Sequence, residues 1–206
     1  NLLLSKAANS NYEQMQKVYT YFTRGFHVVL GSLNDSFSMK KSFEDTSFKK
    51  YIADFLKVAD TGIEAFEVMK QDIGDLKFPN DMPQAFREKL AKRSAYKAEV
   101  IHYTCDDSTP EQVSWGLAEE SAGTVKLFSL AGPIIDVLNE GDILIFDEIN
   151  NSLHPYLSKF IVDLFNSEKT NPKNAQLIFT THDTTLLTKE LFRRDQVWFT
   201  EKNNCG

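Results

Sequence analysis

At 206 residues, 42% hydrophobic and 25% charged, the chain has the composition of an ordinary soluble globular protein and room for one large domain or two small ones. A formal net charge of −6 gives no global attraction for nucleic acid, and no apolar run approaches the roughly 20 residues of a membrane span. The only cysteines, Cys105 and Cys205, lie far apart with no CxxC, which points to a reducing cytoplasm and away from zinc.

In chain order, Ser10 to Arg24 has helical spacing, with Met15, Val18, Tyr19 and Phe22 on one side. Phe26 to Leu30 reads as a strand, and Gly31 to Ser42, rich in Ser, Asn and Asp, as a loop. Asp45 or Thr46 then caps an amphipathic helix carrying Phe48, Tyr51, Ile52, Phe55 and Leu56, which Asp60-Thr61-Gly62 ends. Ile63 to Lys70 alternates as a half-exposed strand does. Pro79 to Asp81 breaks the chain, and Pro83 suits the first position of a helix through about Lys92. That helix carries Arg87, Lys89, Lys92 and Arg93, with Lys97 just beyond. This basic cluster is either a solvated helix face or a DNA or RNA contact patch. Glu99 to Tyr103 and Glu111 to Leu117 read as paired strands around a turn at Asp106 to Pro110. His102, in the first, is expected to be a packed strand residue, because no partner has ligand spacing. A soft boundary falls near 110. Residues 1–110 form a mixed α/β insertion or arm region, and 111–206 alternate strand and helix.

The second part holds the residues that can carry chemistry. Thr124 to Leu138 reads as a long helix turning Leu127, Phe128, Leu130, Ala131, Ile134, Ile135 and Leu138 inward, with Pro133 expected to kink or break it. Its start, Ser121-Ala122-Gly123, presents backbone N–H groups and a positive dipole end to any anion; alternatively Ser121 simply caps the helix. Asn139-Glu140-Gly141 stops the helix. Ile143 to Phe146 follows, a short apolar run typical of a strand buried on both faces. It delivers Asp147 and Glu148 to the carboxyl end of the strand, where open α/β sheets bind ligands. In phosphoryl transfer one acid there can hold Mg²⁺ and the other can orient or deprotonate water; a solvated junction is the plainer alternative. Ser152 to Pro155 leads into a helix through Phe165, with Leu157, Phe160, Ile161, Leu164 and Phe165 inward. A second apolar strand, Gln176 to Thr181, ends at His182, which is either a structural or incidental strand-end residue or, beside the two acids, a group that can sense a phosphate. Arg193 and Arg194 precede a last expected strand, Gln196 to Thr200, either as ion-pairing caps or as contacts to nucleotide or partner.

The segments ESAGT, LIFDE, SLHP, AQLIFTTHDTTLL and RRDQVWF, with LLLSKAANSN near the start, together resemble bacterial abortive-infection ATPases of the AAA and ATP-binding-cassette type, related to OLD and SMC-like heads. The resemblance is specific from about Glu119 to Lys202. It implies a P-loop NTPase fold of α/β class, an ABC/SMC-like head with a parallel sheet and helices on both faces, preceded by a mixed α+β region. In that family Asp147 would support Mg²⁺ through water, Glu148 would polarise the attacking water, and His182 would donate to the γ-phosphate. Ser121 and Gly123, a signature segment with Ala122 where transporters have Gly, and Ser152 in the crossing loop would touch ATP held by the other subunit. The resemblance implies a cytoplasmic homodimer with ATP sandwiched between its heads, gating a nuclease or toxin in phage defence.

No G-x-x-x-x-G-K-[ST] phosphate loop occurs in these residues. The family carries that loop early in the polypeptide, and the first residue here is Asn1 rather than Met. The chain is therefore expected to be the later part of a longer ATPase, or else a degenerate form that lost the loop. Two functions follow: an ATP-hydrolysing engine, or a non-hydrolysing assembly or nucleic-acid-binding module that keeps the fold. Asp147, Glu148 and His182 together favour the first.

Overall fold

A computed structural model describes residues 13–29, 35–72, 94–104, 110–151 and 153–201. The described elements are helix α1 (Glu13–Arg24), strand β1 (Phe26–Val29), helices α2 (Ser36–Glu44) and α3 (Thr46–Val58), strands β2 (Ala65–Asp72), β3 (Ser94–Thr104) and β4 (Glu111–Gly116), helix α4 (Ala122–Glu140), strand β5 (Ile143–Phe146), helix α5 (Pro155–Asn166) and strand β6 (Gln176–Phe179). Three of the strands form a parallel sheet in the order β1-β5-β6, and the other three an antiparallel sheet in the order β2-β3-β4. In the parallel sheet Phe26 faces Ile143 on one side of β5 and Gln176 faces Ile143 on the other. β5 is thus central, which is why its four residues can all be apolar. The sheet takes strands from both sides of residue 110.

Helix α4 is the core of the molecule. Leu127, Phe128, Leu130, Ala131, Ile134 and Val137 are completely buried, and Ile135 and Leu138 nearly so. A helix apolar on so many sides has neighbours all round. It packs on α2, on α3 and on β5, and Phe128 meets Phe66 of β2 edge-to-face at 5.1 Å. Each buried Leu, Ile or Phe stabilises the fold by about 1.5–3 kcal/mol relative to exposure. The helix ends where expected: Gly141 adopts φ +78 and its N–H returns to the Val137 carbonyl. A Cβ at Gly141 would sit 2.9 Å from the Lys173 carbonyl oxygen, so glycine is needed for both conformation and space.

Of the kink or break expected at Pro133, the break does not occur: helix α4 runs through it. Proline removes the N–H that would bond the carbonyl four residues back, that of Ser129. The Ser38 hydroxyl of α2 donates to that carbonyl at 3.2 Å and accepts from the Gly132 N–H at 3.1 Å. A Cβ on Gly132 would lie 2.4 Å from Ser38 Oγ, so the Gly-Pro step forms a notch that α2 fills. Lys41 to Asp136, 2.8 Å, holds the same two helices. This explains a second correction. The segment expected to be a loop through Ser42 is helical from Ser36, because tertiary contacts to α4 override a serine-rich local preference.

The third helix matches its sequence pattern. Asp45 caps it by accepting from the N–H groups of Ser47 and Phe48, and Phe48, Ile52, Phe55 and Leu56 are buried while Tyr51 stays exposed. The apolar residues of α1, among them Met15, Val18, Tyr19 and Phe22, are exposed. The expected helix over 83–92, with Arg87, Lys89, Lys92 and Arg93, lies outside the described residues, as does Ser152. The last expected strand is not one. Arg194–Gln196 forms a single 3-10 turn, and residues 197–200 run on beside no described strand, leaving Trp198 86% and Phe199 84% exposed. Aromatic and β-branched residues favour a strand only where a ladder exists to receive them.

Candidate active site at the ends of two parallel strands

Strands β5 and β6 are in register, Phe146 opposite Phe179, so the residues that follow emerge together. Asp147 still bonds backward, its N–H reaching the Val29 carbonyl at 3.1 Å, and the Thr180 N–H reaches the Phe146 carbonyl at 3.0 Å. The chain then turns sharply. Glu148 lies in the left-handed region, φ +55, and Ile149 inserts into the interior fully buried. With Ile149 anchored, the carboxylates of Asp147 and Glu148 are left exposed at the sheet edge.

Thr180 ties the two strand ends. Its hydroxyl donates to Asp147 Oδ1 at 2.6 Å and accepts from the Glu148 N–H at 2.8 Å. One residue on, Thr181 Oγ1 donates to Asn150 Oδ1 at 2.8 Å, and the Asn150 amide Nδ2 lies 2.9 Å from His182 Nε2 and 3.3 Å from its Nδ1. Asp183 accepts from the Thr185 N–H and hydroxyl and caps the turn over Thr184–Leu186. Those two bonds, the hydroxyl's first, hold its carboxyl below the ordinary range.

Because α4 runs directly into β5, its start comes back to the end where β5 finishes. Lys126, in the second turn, shows the approach: its ammonium donates to the Asn151 carbonyl in the loop after β5. Partial burial lowers the Lys126 pKa, and the nearby charge of Glu148 opposes that shift. At the helix start Ser121 does act as N-cap, accepting from the Thr124 N–H at 3.1 Å and sharing a hydrogen bond with the Thr124 hydroxyl at 2.8 Å. Gly123 lies in the first turn, half-buried.

Asp147, Glu148 and His182 are therefore brought together. Ser121 and Gly123 stand at the start of the helix whose Lys126 reaches the same loop. Helix α5 opens with Pro155 at its first position, and His154 Nδ1 accepts from the Tyr156 N–H; Ser152 lies outside the described residues. Arg193 is engaged locally, its guanidinium forked onto Asp195 through two bonds of 3.1 Å, which is the capping alternative. Sequence reasoning missed Thr180, Asn150 and Lys126. The first was legible as the hydroxyl at the end of QLIFT; the other two had no local signature.

An exposed carboxylate whose oxygen is held by a hydroxyl is a hard donor. It suits Mg²⁺, which keeps most of its waters and takes one or two carboxylates. Among the described residues no group of three or more His, Cys, Asp or Glu could hold a metal ion. A second carboxylate beside it can accept a proton, and the imidazole can exchange one. No described helix is long and apolar enough to cross a membrane.

Residues 6–188 match the family described as "AAA domain, putative AbiEii toxin, Type IV TA system". No curated protein and no solved structure matches the chain. The parallel sheet, its attendant helices and the strand-end acids agree with a P-loop NTPase-like α/β fold. With the match covering well over half of its 206 residues, the chain belongs to this family of AAA-type ATPase domains.

Proposed function

We propose that the chain is the catalytic lobe of an ATP-hydrolysing head of the ABC/SMC-like kind. It works as a cytoplasmic homodimer with ATP held between two heads, and its turnover gates a nuclease or toxin effector in phage defence. The observation that supports this best is the meeting of Asp147, Glu148 and His182 on adjacent parallel strand ends, cross-tied by Thr180 and Asn150. A toxin–antitoxin family description fits an effector role.

In this reading Asp147, oriented by the Thr180 hydroxyl, would hold Mg²⁺ through water. The ion, when bound, neutralises charge on the β- and γ-phosphate oxygens. Glu148 orients the attacking water and takes its proton. Its placement is fixed from two directions, by Thr180 on the backbone N–H and by the buried Ile149 that follows. His182, held by Asn150, meets the γ-phosphate and registers its loss. Ser121, Gly123 and Ser152 meet the ATP of the other head; the exposed first turn of α4 supplies N–H groups and a positive dipole end. The boundary near residue 110 then separates roles, an arm region before it and the ATPase lobe after it, over a shared sheet. Arg87, Lys89, Lys92 and Arg93 would contribute DNA or RNA contacts from the arm side.

The test is Glu148→Gln in the natural full-length polypeptide. Removing the proton acceptor should slow hydrolysis by about 10²–10⁴-fold, while ATP still binds and a closed dimer accumulates. Asp147→Asn should instead lower nucleotide affinity as well as rate. Hydrolysis by Glu148→Gln at the unaltered rate would sink the assignment and leave the non-hydrolysing module.

A further inference from the structure

Glu120 immediately precedes Ser121, and its side chain turns away from the site into the antiparallel sheet. Its Oε1 accepts from His102 Nε2 at 2.7 Å and from Trp115 Nε1 at 2.8 Å. The two donors are themselves locked together. His102 lies on β3 opposite Val113, and Trp115 on β4 opposite Val100, so they are diagonal neighbours on one face. Their rings stack at 4.2 Å with planes 9° apart. The His102 and Glu120 side chains are only 15% and 10% exposed.

The turn between β4 and α4 has its own closure. Glu119 Oε1 accepts from the Gly116 N–H at 3.1 Å, and Ser121 caps the helix. Glu120 is not used for either. It joins the Ser121–Gly123 segment, exposed at Ser121 and Ala122, to a rigid pair of rings on two strands of the other sheet.

We propose that Glu120 is a positioning residue. By anchoring the residue before Ser121 to His102 and Trp115, it fixes where the Ser121 hydroxyl and the first N–H groups of α4 point, so that they are pre-ordered for the phosphate of a nucleotide carried by a second copy. The proposal rests on the role assigned above to Ser121. Without the anchor, that order would have to be imposed during association, which weakens association without touching nucleotide held elsewhere.

The experiment compares Glu120→Ala, Glu120→Gln, Trp115→Phe and Ser121→Arg in the natural full-length polypeptide. It measures ATP affinity, ATP-dependent dimerisation by light scattering, and amide exchange over residues 121–124. Glu120→Ala should weaken dimerisation by about tenfold, the scale of one or two lost charge-assisted hydrogen bonds, with ATP affinity unchanged and exchange of the segment accelerated. Glu120→Gln keeps the accepting oxygen and should restore most of both. Trp115→Phe keeps the ring stack and loses one donor, so it should show a smaller loss; it decides the matter if Glu120→Ala does not fold. Unaltered dimerisation and exchange in the folded Glu120→Ala variant, or in Trp115→Phe should that variant not fold, would overturn the proposal. Ser121→Arg separates the two failures. If it blocks dimerisation while Glu120→Ala does not, the anchor alone is wrong; if Ser121→Arg also dimerises normally, the role of Ser121 fails with it.

Discussion

Strands β5 and β6 contain the same three residues in the same register, Leu144-Ile145-Phe146 beside Leu177-Ile178-Phe179. Their fates differ. Leu144 and Phe146 are buried and Ile145 half-buried, whereas Leu177 and Phe179 are half-buried and Ile178 is exposed. β5 is flanked by β1 and β6, while among the described strands β6 pairs only with β5. Local sequence therefore decides that both segments are strands and where they end, but position in the sheet decides what each contributes. The division also sorts the candidate site: the buried strand leads into two acids from a rigid base, and the outer strand leads into the hydroxyl that bonds Asp147 and the Glu148 N–H and the imidazole beside Asn150.

The comparison can be broken by truncation. Phe146→Ala should cost about 3–5 kcal/mol, the loss of a buried aromatic plus its cavity. Phe179→Ala, half-buried against Phe192 at 5.8 Å, should cost roughly 1–2 kcal/mol by the smaller area it covers. Urea midpoints of the natural polypeptide measure both, and equal shifts would mean that β6 is as deeply covered as β5. Thr180→Val tests the bridge between the strands. It keeps the shape and removes a hydroxyl bonded to both Asp147 and the Glu148 backbone, so it should lower stability by about 1 kcal/mol and lower hydrolysis more than ATP affinity. A Thr180→Val protein with full turnover would show that the acids are held without β6. The smallest effect concerns the loop after β6. Asp183 has its carboxyl held below the ordinary range by Thr185. Its contribution is complete above the unfolded-state value and fades as pH falls through the lower folded value. Asp183→Ala should thus reduce the urea midpoint slightly at neutral pH, with the gap closing in acid; a gap that grows in acid would reverse the sign.

Much of this was written locally. The capped helix over Phe48 to Leu56, the inward set on α4, the Gly141 stop and the two strands ending in acid and imidazole all follow from periodicity and punctuation. What was not legible depended on distant partners. Ser38 looks like a loop residue until Gly132 and Pro133, far along the chain, leave a carbonyl and a space for it. Trp198 and Phe199 look like a strand, yet no described strand pairs with them. Lys126 reads as one more polar position on a buried helix, because its partner is a backbone carbonyl in another loop. Asn150 likewise acquires its role only when β6 brings Thr181 and His182 alongside.

Under the proposed mechanism the backbone of Glu148 sets stability against activity. A side chain in the left-handed region costs on the order of 1–2 kcal/mol relative to the right-handed one, and glycine is the residue that escapes this cost. The substitution that would relax this turn is therefore the one that deletes its carboxylate. A screen of variants for thermal resistance alone would favour glycine here and return an inert protein, while a screen for turnover would keep the strained glutamate. Under the proposed mechanism, position 148 is where the two screens should disagree most sharply.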